Sequence, residues 1–588
     1  MEKLLTRWGR ELNKEMPLNE YPRPQLQRDS FINLNGQWDY AIYPESEAFG
    51  GYQGKITVPF SPECILSGVE RRVLPEDVLY YRRKFSFNKS GERVFLHFGA
   101  VDYECEVSLN GRALGGHKGG YFPFSFDITD AVINGENELC LAVRDPSETG
   151  SQASGKQTSK RGGIWYTPQS GIWQTVWIEE LPQNYISGLR LTPDIDNGVL
   201  FVQLELCGER APVTLTVLDR NEKIAGVSTT GSSASIKMNS FKLWSPESPY
   251  LYQLEISFGK DRVQSYFGMR KFGVIKDGEF SRFMLNNKPY FHNGLLDQGY
   301  WSDGMYTAPS DEALIYDIKT AKELGFNMLR KHIKIEPLRW YYHCDRLGVL
   351  VWQDMINGGG PVNQLSAAVL PAAQLALCSK KAGRLSDTRE NYKLFSREDK
   401  KGREEYYTDA LRMISSLYNC VSLCMWVPFN EGWGQFDAAR VCEFFRRHDK
   451  TRTIDHASGW HDQGTGDVNS FHIYFTPFVF PKLTKDDDRV TALTEFGGYS
   501  MQTEGHVFNT EKFFGYRKYS EKSALQRAIR HLYLDRIAPL IKKKGLSALV
   551  YTELSDVEDE TNGFLSFDRE VLKVDADFMR EINAELHL

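Results

Sequence analysis

The chain has 588 residues, which is too many for one hydrophobic core, so we expect several domains. Its composition is globular, and a net charge of −6 gives no electrostatic reason to expect nucleic acid or an anionic membrane as a partner. No apolar stretch is long enough to span a membrane, and the N-terminus lacks the apolar core of a secretory signal. Nine cysteines scattered along the chain indicate reduced thiols and therefore a cytoplasmic location.

Short strands alternating with turns run from about Ser30 to Glu180 and predict a β-sandwich that occupies residues 1–183. The segment Arg93–Phe98 is one such strand, and Asn110-Gly111 is a typical hairpin turn because both positions tolerate a positive φ angle. The stretch Gly150–Gly163 is rich in serine, glycine and lysine, which predicts a long exposed loop.

A second, smaller β region follows from about Tyr185 to Val274. It has roughly 90 residues and about seven short alternating stretches, the size of an immunoglobulin-like sandwich. We therefore predict an immunoglobulin-like domain over residues 184–275.

From about Phe283 onward, strand and helix patterns alternate. Ser310 is placed to cap a first helix and Gly325 to end it. About eight strands over some 300 residues predict a (β/α)₈ barrel in residues 276–588. The charged stretch Lys380–Glu405 is an insertion in this barrel, and its pattern fits either a solvated loop and helix face or a substrate lid.

Catalytic groups of such barrels lie at the carboxyl ends of the strands. Glu431 and Glu495 each follow an apolar strand abruptly, about three strands apart. Carboxylates supply the acid, base and nucleophile of sugar cleavage, and aromatic faces stack on pyranose rings. Further candidates at or near strand ends could contact a sugar or only link loops: Arg330, His332, Asp354, Asn430, Trp433, Trp460, His472, Tyr474 and Glu553.

Several motifs resemble glycoside hydrolase family 2, the family of β-galactosidases, β-glucuronidases and β-mannosidases. Leu34–Trp38 and Gly171–Trp177 are similar to the opening and closing motifs of the family's sugar-binding sandwich. Trp426–Glu431 resembles its acid/base signature, and Thr494–Gly498 resembles its nucleophile strand. The Asn-x-x-Arg-x-x-His motif is matched by Asn327–His332, although here the histidine comes one place early.

The resemblance implies a jelly-roll-like sandwich, an immunoglobulin-like sandwich and a catalytic TIM barrel. It implies double displacement with retention, with Glu431 as general acid/base and Glu495 as nucleophile. Asn430 would bind the sugar 2-hydroxyl and Tyr474 would orient the nucleophile, while Arg330 could keep Glu495 ionised. It also implies exo action on a small carbohydrate or glycoconjugate, with no obligatory cofactor. A homo-oligomer is common in the family, and a bound divalent or monovalent cation stays open.

The sugar is less constrained than the reaction. Family β-glucuronidases clamp the substrate carboxylate with an Asn-x-Lys motif, and no lysine stands two places after Asn562, which disfavours a uronic acid. A β-galactoside is the first choice on family frequency, with mannoside, glucuronide and arabinoside or furanoside as alternatives. A non-catalytic carbohydrate-binding protein is the rival from another class, but it would not need a paired acid and nucleophile.

The acidic run Asp556–Glu560 follows the last predicted strand. Its composition predicts a solvated loop for most of its length, with pocket lining and metal binding as alternatives.

Overall fold

The computed structural model describes residues 4–377, 384–475 and 487–588. A β-sandwich forms first, because alternate residues of its strands are buried in a shared core around Trp38, Leu96 and Leu141. A four-stranded sheet consists of Ile32–Asn33, Val176–Leu181, Arg93–Phe98 and Phe124–Asp127. A six-stranded sheet consists of Gly54–Val58, Gly36–Pro44, Asp77–Phe87, Gly135–Arg144, Glu104–Leu109 and Arg112–Lys118. Val101–Asp102 and Gly171–Ile172 form a small additional pair.

The second sandwich has seven strands in two sheets, around a core that includes Val202, Leu215 and Ile256. Its three-stranded sheet contains Tyr185–Asp194, Val199–Cys207 and Ser233–Lys237. Its four-stranded sheet contains Glu222–Thr229, Val213–Asp219, Tyr252–Phe258 and Asp261–Phe267. Size and strand number agree with the immunoglobulin-like prediction.

Eight parallel strands, every residue of them buried, form the third region. They are β1 His292–Asp297, β2 Met328–Lys331, β3 Leu350–Asp354, β4 Leu423–Val427, β5 Thr453–Ile454, β6 Val468–Ile473, β7 Val490–Gly497 and β8 Leu546–Thr552. Their hydrogen-bonded order is β5-β4-β3-β2-β1-β8-β7-β6, so the barrel is closed except between β5 and β6. The fold class expected from the sequence is confirmed.

Helices cover the barrel, and their ends follow the local chemistry. Ser310 accepts a hydrogen bond from the Ala313 amide and begins a helix, and Gly348 ends the next one in a left-handed conformation. The α-helices of the described chain are Arg7–Arg10, Asp311–Glu323, Leu338–Leu347, Leu370–Ala376, Lys400–Leu417, Ala438–His448, Lys522–Arg530, Ala538–Lys544 and Ala576–Ala584. Two 3₁₀ helices are Ile65–Ser67 and Arg389–Asn391, and two π-helical segments are Leu365–Val369 and His531–Ile537.

Two short sheets complete the chain. A three-stranded sheet of Phe272–Asp277, Phe280–Leu285 and Lys288–Pro289 leads into the barrel. The two segments Tyr499–Ser500 and Arg517–Lys518 pair beyond β7. Within the residues described, no helix is long and apolar enough to cross a membrane.

Two loop predictions are wrong. In the stretch Gly150–Gly163, the side chains of Gln152, Lys156 and Gln157 are buried, because this loop packs against the mouth of the barrel instead of facing solvent. The acidic run Asp556–Glu560 is also buried. Composition gave the wrong result because segments distant in sequence pack over both loops, and local sequence patterns carry no information about such contacts.

The predicted insertion Lys380–Glu405 lies partly outside the described residues, since 380–383 are not among them. In its described part, Arg397 is buried and donates to the Gly434 carbonyl at 2.8 Å. This contact ties the insertion to the loop that follows β4.

Candidate active site

The predicted catalytic residues meet at the carboxyl end of the barrel. Glu431 lies four residues beyond β4, and Glu495 lies near the end of β7. One carboxylate oxygen of each, together with His472 of β6, lies within 4.8 Å of the others. This short gap fits a retaining glycosidase, whose carboxyl groups are about 5–5.5 Å apart, and not an inverting one at about 6.5–9.5 Å.

Arg330 at the end of β2 organises one wall of the site. Its fully buried guanidinium donates to Glu495 Oε1 at 3.1 Å, to Asp354 Oδ1 at 2.9 Å and to Asn430 Oδ1 at 2.8 Å. A fourth hydrogen bond goes to a backbone carbonyl of β7. Since the Asn430 oxygen is occupied, its amide nitrogen, which has no partner among the described residues, is available to a ligand.

Glu495 is held as a carboxylate. Burial acts to raise its pKa, but His472, Arg330 and a hydrogen bond from Tyr474 outweigh burial, and the net pKa is lowered. The Tyr474 hydroxyl donates to Glu495 Oε2 at 2.6 Å, and burial next to that carboxylate raises the pKa of Tyr474 well above its usual value. Tyr474 therefore remains a donor, as the resemblance implies.

His332 and Asp354 form a supporting pair behind Arg330. Their contact is 2.6 Å, between His332 Nδ1 and Asp354 Oδ2. Burial lowers the pKa of His332 well below its usual value, and burial raises the pKa of Asp354 despite the neighbouring guanidinium. A neutral imidazole here adds no further positive charge beside Arg330.

Glu431 is presented by an unusual backbone. Its φ of 52° lies in the left-handed region, which costs a side-chain-bearing residue about 1–3 kcal/mol and is common at functional sites. The amide of Glu431 donates to the Ser458 carbonyl at 2.9 Å, and Trp433 closes the turn with a 2.9 Å bond to the Asn430 carbonyl. The turn directs the Glu431 carboxyl toward His472.

His472 lies between the two carboxylates. Its Nδ1 is 2.8 Å from Glu431 Oε1 and 3.3 Å from Glu495 Oε2, and its Nε2 is 3.1 Å from Ser458 Oγ. Gly459 makes this approach possible, because a Cβ there would lie 2.6 Å from the imidazole ring.

The hydroxyl chain behind His472 fixes its tautomer. Thr494 Oγ1 donates to the Phe471 carbonyl, so it accepts from Ser458 Oγ at 3.0 Å. Ser458 must then accept from His472 Nε2, which carries a proton. Nδ1 consequently faces the two carboxylates.

The opposite wall comes from β8 and from the first sandwich. Glu553 is fully buried one residue after β8, and burial together with Glu560 raises its pKa well above the usual value. The neighbouring Gln298 side chain acts to lower that pKa but does not outweigh burial, and the contact between Gln298 and Glu553 falls outside standard hydrogen-bond geometry. Lys156 of the sandwich loop is 5% exposed, and its ammonium lies 5.9 Å from the Trp433 ring.

Aromatic rings border the site. Trp433 and Trp460 are both buried, at 6% and 9% exposure, and Trp460 meets His472 edge-on at 5.6 Å. Tyr516 stacks on Tyr474 at 3.7 Å. Trp433 faces the half-buried Trp165, with ring centroids 5.0 Å apart.

In the described part of the chain, one group of three side chains could ligate a metal, and it is Glu431, His472 and Glu495. An ion bound there would occupy both carboxylates.

Sequence reasoning missed Lys156, Trp165, Ser458 and Tyr516. Lys156 and Trp165 belong to, or directly follow, a loop interpreted as exposed, and they reach the site from another domain. For Ser458, its place just after the predicted strand β5 was the available signal.

Paired carboxylates at the strand ends of a parallel barrel, flanked by sandwiches, define a glycosidase-type protein. Three consecutive family models match the chain: the galactose-binding domain-like model of glycosyl hydrolase 2 at residues 64–173, glycosyl hydrolases family 2 at 184–270, and the family 2 TIM barrel domain at 275–491. The chain belongs to glycoside hydrolase family 2, whose members are glycoside hydrolases.

Named relatives differ in the sugar. The chain is 29% identical over 285 residues to a putative beta-glucuronidase of Formosa agariphila, and the aligned region covers 44% of this chain and 32% of that protein. It is 26% identical over 424 residues to a beta-galactosidase of Oenococcus oeni, which covers 62% and 39%. The chain thus spans about a third of the length of these curated relatives.

Solved structures share the whole architecture. A beta-D-glucuronidase of Dictyoglomus thermophilum superposes with a TM-score of 0.73 at 20% identity, covering 96% of this chain and 99% of that one. A beta-galacturonidase of Eisenbergiella tayi gives 0.70 at 17% identity, with 96% and 99% coverage. At this identity the likeness shows the fold alone.

Proposed function

We propose that the protein is a retaining exo-β-glycosidase that removes a terminal β-linked sugar by double displacement. The observation that carries the proposal is the pairing of Glu431 and Glu495 within 4.8 Å, with the pKa of Glu495 lowered by its surroundings. A β-galactoside is the first candidate substrate, because several matched relatives bear that name. Exo action rests on the family resemblance.

In the first step, Glu495 attacks the anomeric carbon as the bond to the leaving oxygen breaks. Glu431, protonated, transfers its proton to that oxygen, and a glycosyl ester forms on Glu495. Tyr474 and Arg330 hold the attacking carboxylate in place, and the free amide nitrogen of Asn430 suits a sugar hydroxyl.

In the second step, water attacks the anomeric carbon and the ester bond to Glu495 breaks. Glu431, now a carboxylate, takes the proton of that water and returns to its starting state. In that state His472 Nδ1, which lies 2.8 Å from Glu431 Oε1, accepts a hydrogen bond from the protonated Glu431 carboxyl.

The test is a panel of p-nitrophenyl α- and β-glycosides that includes pyranosides, furanosides and uronides. We expect one β-glycoside to be hydrolysed with retention seen by NMR, and kcat/KM to fall by roughly 10⁴-fold or more in Glu495→Gln. Glu431→Gln should lose less with a dinitrophenyl leaving group, since that group needs little protonation.

The exposed Glu443→Gln serves as the control and should keep full activity. A matching 2-fluoro sugar should label Glu495, as found by peptide mass spectrometry. Failure of every β-glycoside together with an unlabelled Glu495, or full activity in either catalytic variant, would contradict the proposal.

A β-uronide is the second candidate, and one observation favours it. The buried ammonium of Lys156 has no ion-pair partner among the described residues, and its charge acts on both His332 and Glu553 in the site. Burying an unpaired charge is costly, so an anionic substrate group would stabilise it. This lysine would replace the one that is missing after Asn562.

Lys156→Met separates the two candidates. If the substrate is a uronide, kcat/KM for p-nitrophenyl β-glucuronide or β-galacturonide should fall about 10–100-fold, as expected for a hydrogen bond between charged groups. If the substrate is neutral, Lys156→Met should change kcat/KM by a similar factor for all of the sugars tested. Lys89→Met, an exposed lysine of the sandwich, is the matched control.

A further inference from the structure

A cleft separate from the candidate active site opens between the immunoglobulin-like sandwich and the barrel. It has a volume of about 650 Å³. One wall is the three-stranded sheet of that sandwich, and the other is the carboxyl end of the helix Ala438–His448. This helix connects β4 to β5 and runs back along the barrel, so its carboxyl end lies opposite the strand ends that carry Glu431.

The sheet wall presents two rows of cross-strand neighbours on the outer face of the sandwich. The rows are Arg190, Gln203 and Ser233, followed by Thr192, Phe201 and Ser235. Val202 alternates with these residues and packs in the sandwich core, as the period of two requires. Phe201 is 45% exposed, so a flat apolar ring stands among hydroxyl and amide groups.

The charged side chains that line the cleft are all cationic. They are Arg190 from the sandwich and Arg447 and Lys450 from the barrel, and no carboxylate is among the described lining residues. None of the three cations has an ion-pair partner within the part of the chain that the structure describes. A cleft lined by one sign of charge concentrates ligands of the opposite sign, even though the chain as a whole is acidic.

The carboxylates close to these cations in sequence or on the sheet do not neutralise the cleft. Asp449 is buried, and it pairs with Arg452 at 3.1 Å and with the Trp426 indole at 3.0 Å. Glu443 and Glu205 are exposed, and in the described structure neither forms an ion pair with a cation of the cleft. The positive charge is therefore left for a ligand.

Arg190 is held in place before any ligand binds. Its Nη2 donates to the His448 carbonyl at 2.6 Å, and its guanidinium lies 3.7 Å from the centroid of the Tyr418 ring. The Tyr418 hydroxyl is in turn 2.9 Å from Thr192 Oγ1. Asn419 bonds to the backbone of the same strand through both its amide nitrogen and its oxygen, at 2.8 Å each. The two domains thus fix the guanidinium, whose remaining N–H groups can meet an oxyanion.

We propose that this cleft binds a phosphorylated monosaccharide. A phosphate monoester carries nearly two negative charges at neutral pH and would lie among Arg190, Arg447 and Lys450. The C–H face of the sugar ring would stack on Phe201. Its hydroxyls would meet side chains that both donate and accept hydrogen bonds, which are Gln203, Ser233, Ser235 and Thr451. The inference does not rest on the proposed glycosidase reaction, because the cleft shares no residue with the candidate active site.

Isothermal titration calorimetry on the full chain tests this with glucose 6-phosphate, galactose 6-phosphate and glucose 1-phosphate as ligands. At least one sugar phosphate should bind about tenfold more tightly than either inorganic phosphate or its unphosphorylated sugar. Arg447→Ser combined with Lys450→Ser should weaken both that ester and inorganic phosphate about tenfold or more, because both ligands use the cations. Phe201→Thr should weaken the ester to the level of inorganic phosphate and leave inorganic phosphate unchanged.

These three positions are exposed, so the variants should keep the thermal midpoint of the unmutated protein. Lys543→Ser, at an exposed lysine of another helix, is the matched control and should change no affinity. The proposal is overturned if no sugar phosphate binds more tightly than inorganic phosphate, or if the double variant retains the affinity. A weakening in Lys156→Met would place the ligand in the candidate active site instead, and tighter binding of AMP would replace the sugar with a nucleobase. A protein without activity in the glycoside panel would contradict the proposed function and leave this binding site intact.

Discussion

The two walls of the candidate site differ in how their polar atoms are satisfied. On the wall formed by β2, β4, β6 and β7, the charged groups of Arg330, Glu495 and His472 bond to one another. On the wall formed by β8, the sandwich loop and Gln298 after β1, Glu553 and Lys156 are buried without an ion-pair partner among the described residues, and Gln298 lies beside Glu553.

This difference separates two tasks. The two carboxylates to which we attribute the reaction are held by the protein before substrate arrives, which is the preorganisation that electrostatic catalysis requires. The other wall keeps donors and acceptors available, which suits a surface that reads the substituents of a sugar. Changes to the first wall should therefore affect kcat, and changes to the second should affect KM and stability.

His472→Gln should have the largest effect on the first wall, because it removes a side chain that contacts both carboxylates. We expect kcat/KM to fall about 100-fold, because Glu431 loses the group that orients it. The pKa of Glu495 should rise, since His472 is the largest of the influences that lower it. Activity needs ionised Glu495 and is lost as pH falls through its pKa, so the acid limb of the kcat/KM profile should move to higher pH.

His456→Gln is the matched control, since this buried histidine contacts Asp462 and neither catalytic carboxylate. Its pH profile should keep the original acid limb. An unshifted limb in His472→Gln would mean that the imidazole plays a structural part only.

Glu553→Gln tests the second wall, and we expect a smaller effect that falls on stability. The folded protein holds this carboxyl protonated because its pKa is raised, whereas the unfolded chain ionises it above about pH 4.5. Wild-type stability is therefore lost as pH rises from that value toward the folded pKa. The amide variant escapes this loss, so its thermal midpoint should exceed that of the wild type by a few degrees at pH 8 and match it near pH 4.

Differential scanning calorimetry at both pH values measures this, with Glu443→Gln as an exposed control that should show no pH-dependent difference. A Glu553→Gln midpoint below the wild type at pH 8 would show that the carboxyl is ionised in the fold. We expect kcat to change little in either variant.

The sequence predicted the parts of the site that lie on barrel strands. Eight strands, the helix ends at Ser310 and Gly325, and the positions of Glu431 and Glu495 follow from local patterns and strand-end polarity, and a parallel barrel brings its strand ends together. The fold class is confirmed by the structure, while the assigned catalytic roles remain a proposal. The hydrogen bond from Arg330 to Glu495 brings the guanidinium to the carboxylate that the sequence suggested it could keep ionised, although the two strands are three apart in the barrel.

Tertiary placement explains what the sequence did not reveal. Lys156 and Trp165 act on a barrel more than a hundred residues later in the chain, and their loop has the composition of a solvent-exposed linker. Asp556 can be buried because Lys573 pairs with it at 2.6 Å, and hydrophobic periodicity in the sequence does not predict such an ion pair. The tautomer of His472 depends on Ser458 and Thr494, which come from two other parts of the barrel.

Gly358 of the barrel packs so closely against the first sandwich that a Cβ there would lie 2.3 Å from the Gln152 carbonyl oxygen, and this contact has a practical consequence for engineering. A barrel expressed without its sandwich would keep the two glutamates but would lack Lys156 and Trp165. Exchanging whole sandwiches between homologues would exchange these two residues together with their loop, provided that glycine is retained at the position of Gly358. The sandwich thus contributes exchangeable residues at the edge of the candidate site, whereas the barrel carries the two glutamates.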